Sequence, residues 1–323
     1  MLVTKPLVKH ILHQTTDISS VFAEQSEAFA ATKQSKNVRL SQLSSEIKCE
    51  ASAHMERSIL LSEEKGASSW VTALPLVDFG FALSKSDFHD ALHLQYGWRP
   101  ARLPSSCVCG KDFSVDHSLT CSHGGYLGLR HNEVRDLLGK LLDDTCHDVC
   151  IEPQLQPLSG EHLHSSTNSS MEARLDLKAS GFWSSDRHRA AFFDVRVFHP
   201  HARSYRNTPV PALYKIHERE KRRHYEDRVR EVDRGTFTPL VFSSTGGAGP
   251  AAKAFIKRLA NMLAAKKETD YATTIDWLRC RLSFSLLRSS ILCLRGSRSL
   301  RRTLEIEQHQ PDVALAEGRV NVH

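Results

Sequence analysis

Three thiols and one imidazole crowd into a single polar stretch, CVCGKDFSVDHSLTC, and no other feature narrows the possible folds as much. Cys107, Cys109, His117 and Cys121 give the pattern C-x-C-x7-H-x3-C. Three thiolates and an imidazole are the donor set of a closed, tetrahedral structural zinc site, which leaves no position open for chemistry. The first pair is tighter than the usual two-residue spacer. Gly110 relieves the backbone there, and the loop between the halves is long enough to close. A closed site stabilises a small subdomain by on the order of 10 kcal/mol, which matters in a segment with so few large apolar side chains. His123 is a substitute for His117 as fourth ligand, and the plainer alternative is a set of reduced thiols beside a surface histidine.

The chain of 323 residues has room for one large domain or two ordinary ones, and 40% hydrophobic with 25% charged residues describes a globular protein with a real core. The most apolar run, LSFSLLRSSILCL, is interrupted by Arg288 and flanked by Arg281 and Arg295, so no membrane span is expected. MLVTKPLVKHILHQTTDISS has neither an apolar leader core nor a small-residue cleavage site, so secretion is not expected. Eight cysteines without such a leader point to a reducing compartment and free or metal-bound thiols. The net charge of +6 is unevenly spread: Arg279 to Arg302 contains seven arginines and no acid, and KRRHYEDRVR is a second basic cluster. Arg222, Arg279, Arg281 and Arg288 are therefore candidate contacts to a polyanion, DNA or RNA. A solvated helix face is the competing account of either cluster.

Along the chain, periodicity predicts a helix from about Ser84 to Gly97 that buries Phe88, Leu92 and Tyr96. RHNEVRDLLGKLLDDTC predicts an amphipathic helix with Val134, Leu137, Leu138, Leu141 and Leu142 as its stripe. HDVCIEPQLQP, ARLDLKASGFW and RHRAAFFDVRVFHP read as strands, with the polar loop SGEHLHSSTNSSMEA between the first two. YKIHEREKRRHYEDRVREVDRG reads as a charged helix stopped by Gly235, FTPLVFSSTGG as a strand, and PAAKAFIKRLANMLAAKK as a helix opened by proline. That order describes a mixed α/β core of nuclease type and not a doubly wound nucleotide fold. No Walker or GxGxxG loop occurs. The helix over Arg279–Leu294 has two readings, a DNA-binding helix or a packed amphipathic one.

Asp176 in RLDLKAS and Asp194 in FFDVRVF each interrupt an apolar strand, where an ionised group is costly unless it is paired or binds a cation. On adjacent strands the two carboxylates converge and can hold Mg²⁺ while leaving room for phosphate and water. Arg196, two residues past Asp194, shares its face and can neutralise a phosphate. Lys221 and Tyr225 share a helix face, from which the lysine can reach a scissile phosphate. Glu133 and Glu152 are weaker candidates for a third carboxylate. The competing account pairs Asp176 with Arg174 or Arg196 in a strand-edge salt bridge and leaves Lys221 in a solvated array of charges.

The succession CVC–H–C, HGGYLGLRHNEVRDLL, EPQLQ, RLDL and FFDVRV resembles the C-terminal part of non-LTR retrotransposon polyproteins. There a CCHC zinc knuckle precedes a restriction-enzyme-like endonuclease of the PD-(D/E)xK fold. The link HGG…RHN is the most specific piece, and EKGASSWVTALPL…GFALSKSDFHDALHLQYGWRP resembles the segment between polymerase and endonuclease. The resemblance implies that Cys107, Cys109, His117 and Cys121 hold zinc and that Asp176 and Asp194 hold catalytic magnesium. Lys221 becomes the lysine that has moved from strand to helix, and Arg130 and His131 the basic start of the first core helix, facing DNA. Members of the family nick DNA with a divalent metal, which implies a nuclear place of action.

The motif's proline is Leu175 here, and its strand lysine is Arg196, too weak an acid to serve as a base. No Tyr-x-Asp-Asp polymerase signature occurs in the chain. The expected architecture is a helical, partly disordered linker over 1–66, a helical subdomain over 67–104 and the knuckle over 105–125. A restriction-endonuclease-like core over 126–268, basic helices over 269–303 and a disordered tail over 304–323 complete it. Two alternatives to a nuclease remain: a nucleic-acid-binding module with a dead metal centre, and an element fragment without a selected role.

Overall fold

The computed structural model describes residues 34–47, 49–155, 174–184, 186 and 188–296. The polar loop over 159–173, the tail from 304 and the first 33 residues, for which we expected loop, disorder and helix, lie outside them. The chain forms two compact units, Met1–Glu56 and Arg57–His323. In the first, residues 34–47 are helical and expose Val38, Leu40, Leu43 and Ile47.

The second unit holds the sheet. The last turns of α1 (Ala53–Ser62) belong to it, followed by the short α2 (Ser69–Thr72), α3 (Lys85–Tyr96), the short α4 (Val115–Ser118) and α5 (Tyr126–Asp143). Then come β1 (His147–Ile151), β2 (Leu177–Ser180), β3 (Ala190–Phe198), α6 (Val210–Glu231), β4 (Thr236–Ser243), α7 (Pro250–Lys267) and α8 (Tyr271–Arg295). The sheet runs β1-β2-β3-β4, antiparallel at the first two pairings and parallel at the third, with α6 as the crossover from β3 to β4.

Alternation along β3 sorts the layers. Ala191, Phe193 and Val195 join Leu177, Leu240 and Phe242 in the main core. There they meet the predicted α5 stripe, all five residues of which are buried, and Phe255, Leu259 and Leu263 of α7. Gly139 lets α5 settle on the sheet, since an added Cβ would meet Leu177 and Ile151 at 3.2 Å. The opposite face of β3 turns to α6. Phe192 packs with Val229 at one end, and Phe198 with Leu213 and Tyr214 at the other. Between these two apolar clusters lie Asp194 and Arg196.

Helix α8 is buried along most of its length. Ile275, Leu278, Leu282 and Leu286 enter the main core, while Cys280, Phe284, Leu287 and Ile291 form a second cluster with Trp70 and Ala91. Of the two readings of Arg279–Leu294, the structure has the packed helix. None of the described helices is long and apolar enough to cross a membrane.

Three local expectations change. α3 starts at the Ser84 cap and ends on the left-handed Gly97, as predicted, but Phe88 is 44% exposed while Asp90, Ala91 and Gln95 are buried. Its inward face is polar because partners meet it there: Arg295 grips both oxygens of Asp90 at 2.6 Å, and Gln95 accepts from the Trp70 indole at 3.3 Å. α6 ends at Glu231, before Gly235. Gly235 serves packing instead, since a Cβ there would lie 2.7 Å from the Phe192 ring. Asp176 sits one residue before β2 and not within it.

Candidate functional site

The cysteine segment closes on itself. The Cys107 amide donates to the Lys111 carbonyl at 2.8 Å and the Gly110 amide to Cys107 at 2.9 Å, with Gly110 at φ 81° making the turn. Ser114 caps α4 by accepting from the His117 amide at 3.0 Å, which turns the imidazole toward the thiols. The donor atoms of Cys107, Cys109, His117 and Cys121 all lie within 4.8 Å of one another. Cys107 and Cys121 sulfurs are 3.9 Å apart, and Cys109 Sγ lies 3.3 Å from His117 Nε2. Tetrahedral zinc with bonds of about 2.3 Å holds two sulfurs roughly 3.8 Å apart. The tetrad is thus able to hold a metal such as zinc, with His117 and not His123 as the nitrogen donor. Among the described residues it is the one group of three or more such side chains gathered this closely. Phe113 and Leu294 pack beside the two buried cysteines.

A second cluster forms across β2, β3, α5 and α6. The antiparallel register pairs Leu177 with Phe193, so one step further Asp176 stands opposite Asp194. Asp176 Oδ2 accepts from the Val195 amide at 2.6 Å and Oδ1 from His131 Nε2 at 2.9 Å. Lys221 Nζ comes within 2.7 Å of Asp194 Oδ2, off the line of a hydrogen bond, and 5.7 Å from the centre of the Tyr225 ring. Lys221 reaches this place because it lies midway between the two apolar anchors of α6.

The two carboxylates titrate in opposite directions. Burial, then repulsion from Asp176, push Asp194 up to about 6, against the pull of Lys221. Burial also opposes ionisation of Asp176, but His131 and the Val195 amide outweigh it and hold this carboxyl below its ordinary range. Burial disfavours charge on His131 and on Lys221, yet the facing aspartates raise both.

Of the residues singled out from the sequence, Asp176, Asp194 and Lys221 come together here. Arg196 shares the face of Asp194 and lies near His217, whose imidazole is lowered by burial and then by the Arg196 charge. Arg174 faces Glu152 at 3.8 Å, so neither arginine forms the strand-edge bridge with Asp176. Glu152 is also bound by Arg135, and Glu133 feels Asp136 and Arg288, so neither glutamate joins the carboxylate pair.

The arginines expected at nucleic acid have structural partners. Arg130 is 3% exposed and donates to the carbonyls of Leu119 and Val197 at 3.2 and 3.4 Å. Arg288 holds the carbonyls of Gly80 and Ala82 at 2.7 and 2.8 Å, and Arg281 that of Phe79 at 3.2 Å. Arg279 pairs with Asp276 at 2.9 Å, and Arg222 with Glu226 at 2.6 Å. Burial and these carbonyls remove Arg130 from the protein surface, while Arg288 is half-buried with its guanidinium engaged by backbone.

His131 is the residue whose place sequence reasoning missed. Expected at the DNA-facing start of α5, it meets Asp176 at 2.9 Å, a partner the sequence did not indicate. The signal was its position: His131 and Arg135, four apart, border the apolar stripe, where a side chain reaches around to the neighbouring strand.

No protein-family model matches the chain, and no curated protein matches it. Fold and sites together define a mixed α/β protein with a four-stranded sheet and a Cys/His cluster able to hold a metal such as zinc. It carries, separately, a cluster of two buried carboxylates with a partly exposed ammonium and imidazole.

Proposed function

We propose that this protein is a metal-dependent DNA endonuclease that nicks one strand, with a restriction-endonuclease-like PD-(D/E)xK core and a structural zinc knuckle. The observation that carries the reading is the meeting of Asp176, Asp194 and Lys221, drawn from three separate elements, in one buried cluster. The order helix, three strands, helix, strand over α5 to β4 and the mixed sheet support the same reading, as does the resemblance to the endonuclease region of non-LTR retrotransposons.

The donor set fits a divalent cation. Two buried carboxylates face each other, and their repulsion helps to lift Asp194 to about 6; a cation between them removes that cause. Magnesium characteristically takes one or two carboxylates and completes its shell with water and substrate phosphate. Asp176 and Asp194 would hold it, and when bound it would lower the pKa of an attacking water and neutralise charge on phosphate. Lys221 stabilises the charge that develops on the phosphate oxygens. Arg196, beside Asp194 on the same face, pairs with the phosphate but takes no proton. The tetrad supplies shape and no chemistry. The substrate implies action in the nucleus, with RNA as a second polyanion the same surface would accept.

The test is nicking of supercoiled plasmid by the zinc-loaded full chain with and without Mg²⁺, beside Asp194→Ala. Magnesium-dependent nicking that disappears in the variant is the expected result. Salt-sensitive DNA binding without nicking would replace this reading by a non-enzymatic binding module, which Leu175 and Arg196, at positions where the family has proline and lysine, favour. A chain that neither nicks nor binds DNA would be an element fragment without this activity.

A further inference from the structure

Asp176 is held by both of its oxygens, and only one of the two holders is backbone. The Val195 amide, a backbone donor of β3, fixes Oδ2 at 2.6 Å. Oδ1 is fixed at 2.9 Å by a side chain from a different layer, His131 on the first turns of α5. An ionised carboxylate only accepts, so Nε2 carries the proton of this bond. The imidazole side chain is 26% exposed, against 10% for Asp176, so His131 forms one wall between the carboxylate and solvent. Arg135, the next turn of the same helix face, is bound to Glu152 and Asp136 and does not compete for Asp176. Across the cluster, Lys221 faces Asp194 as an ion pair at 2.7 Å. Each carboxylate thus has one side-chain partner, from opposite sides.

We propose that His131 is a positioning residue for Asp176, orienting this carboxylate toward the cation shared with Asp194, and not a contact to nucleic acid. The inference rests on the divalent-metal reading of the site. A carboxylate pinned at Oδ2 alone can still rotate about the bond that carries it. The imidazole fixes that rotation and leaves one lone pair on each oxygen for a metal. Partners of metal-binding carboxylates set ligand orientation and basicity, and their removal typically weakens metal binding by about 10–100-fold.

The experiment is a titration of Mn²⁺ into the zinc-loaded full chain, followed by the loss of free-ion paramagnetic signal. Wild type is compared with His131→Ala, His131→Gln and Asp194→Asn, and each variant is checked for native circular dichroism. DNA affinity without divalent ions is measured in parallel. The expected result is a Kd for Mn²⁺ raised about 10–100-fold in His131→Ala with DNA affinity unchanged. His131→Gln, whose Nε2 stands in for the imidazole N–H, should recover part of the loss. A merely structural histidine would lower the melting temperature and leave the Kd where it was. Two results overturn the inference alone: an unchanged Mn²⁺ affinity in His131→Ala, or a loss of DNA affinity in its place. Wild type binding Mn²⁺ no better than Asp194→Asn overturns the metal reading of the site as well, and the two failures are thereby distinguished.

Discussion

Replacing Lys221 by methionine keeps the stem of the side chain and removes its charge, leaving Asp194 buried opposite Asp176. In the native protein the folded carboxyl titrates at about 6, against 3.8 for the free group. Because the folded value is raised, the stability that Asp194 permits is complete below about pH 4 and is lost as pH rises through about 6, some 3 kcal/mol in all. Lys221 is the largest influence keeping that value from climbing further. Without it the carboxyl titrates higher still, so Lys221→Met comes nearest to wild type at pH 5, where Asp194 is mostly protonated in both. The difference then grows with pH above about 6, by at most about 1.4 kcal/mol per unit, the slope of one proton, and so reaches no more than about 3 kcal/mol at pH 8. That figure meets the lower end of the roughly 3–5 kcal/mol measured when one partner of a buried ion pair is removed. Urea unfolding of the zinc-loaded full chain at pH 5, 6, 7 and 8, without magnesium, reads the difference directly. At pH 8 the melting temperature should fall, by no more than roughly 6–12 °C. Asp176, which the Lys221 charge also lowers, moves in the same direction as Asp194 when that charge is removed. A loss of equal size at every pH would refute the argument, because it would mean that Lys221 acts through its packed stem and not its charge.

Removing zinc with a strong chelator should make the thiols of Cys107, Cys109 and Cys121 reactive together and lower the melting temperature by about 10 °C or more; elemental analysis before and after gives the metal count, and an unchanged melt would show that the tetrad carries no structural metal. Arg288→Ala should cost about 1–2 kcal/mol in urea unfolding, because two partly enclosed carbonyls lose their donor. DNA affinity should stay within about twofold of wild type; a loss of affinity at unchanged stability would return Arg288 to a nucleic-acid contact.

What the sequence reveals of this molecule depends on the distance over which each feature is encoded. The tetrad is legible because its four ligands sit in one short segment, and ligand spacing is a local constraint. The stripe of α5 is legible because helix period and burial coincide. The carboxylates are half legible. An acid inside an apolar strand announces a partner, but the choice among Arg174, Arg196, Lys221 and His131 is made by the β2–β3 register and by the angle at which α6 crosses, and no short window contains either. The partners of the α8 arginines are not legible in sequence, for a definable reason. Arg281, Arg288 and Arg295 recur every seven residues and so form one stripe, which reads as a charged face turned to solvent. The stripe faces backbone carbonyls of residues 79–82 and 101, and the carboxylate of Asp90. An irregular segment presents carbonyls that no strand or helix satisfies, and a fixed fork of donors is one way to meet them.

The same requirement joins the two sites. Arg130 reaches the Leu119 carbonyl just past α4 and the Val197 carbonyl of β3, three residues beyond Asp194. His199, the residue after β3, places Nε2 2.9 Å from Asp116 in α4 and Nδ1 2.9 Å from Ser244 after β4. Both side chains are almost wholly enclosed. In a low-dielectric interior a polar group that loses its partner costs about 1–3 kcal/mol, and more when it is charged. The Cys/His segment therefore cannot shift without stripping a guanidinium and an imidazole that also fix the end of β3. Asp116 is the neighbour of His117, so a metal in the tetrad fixes the residue that His199 meets. It follows that the metal tetrad, although it has no open position for chemistry, helps to set the frame in which Asp194 is held.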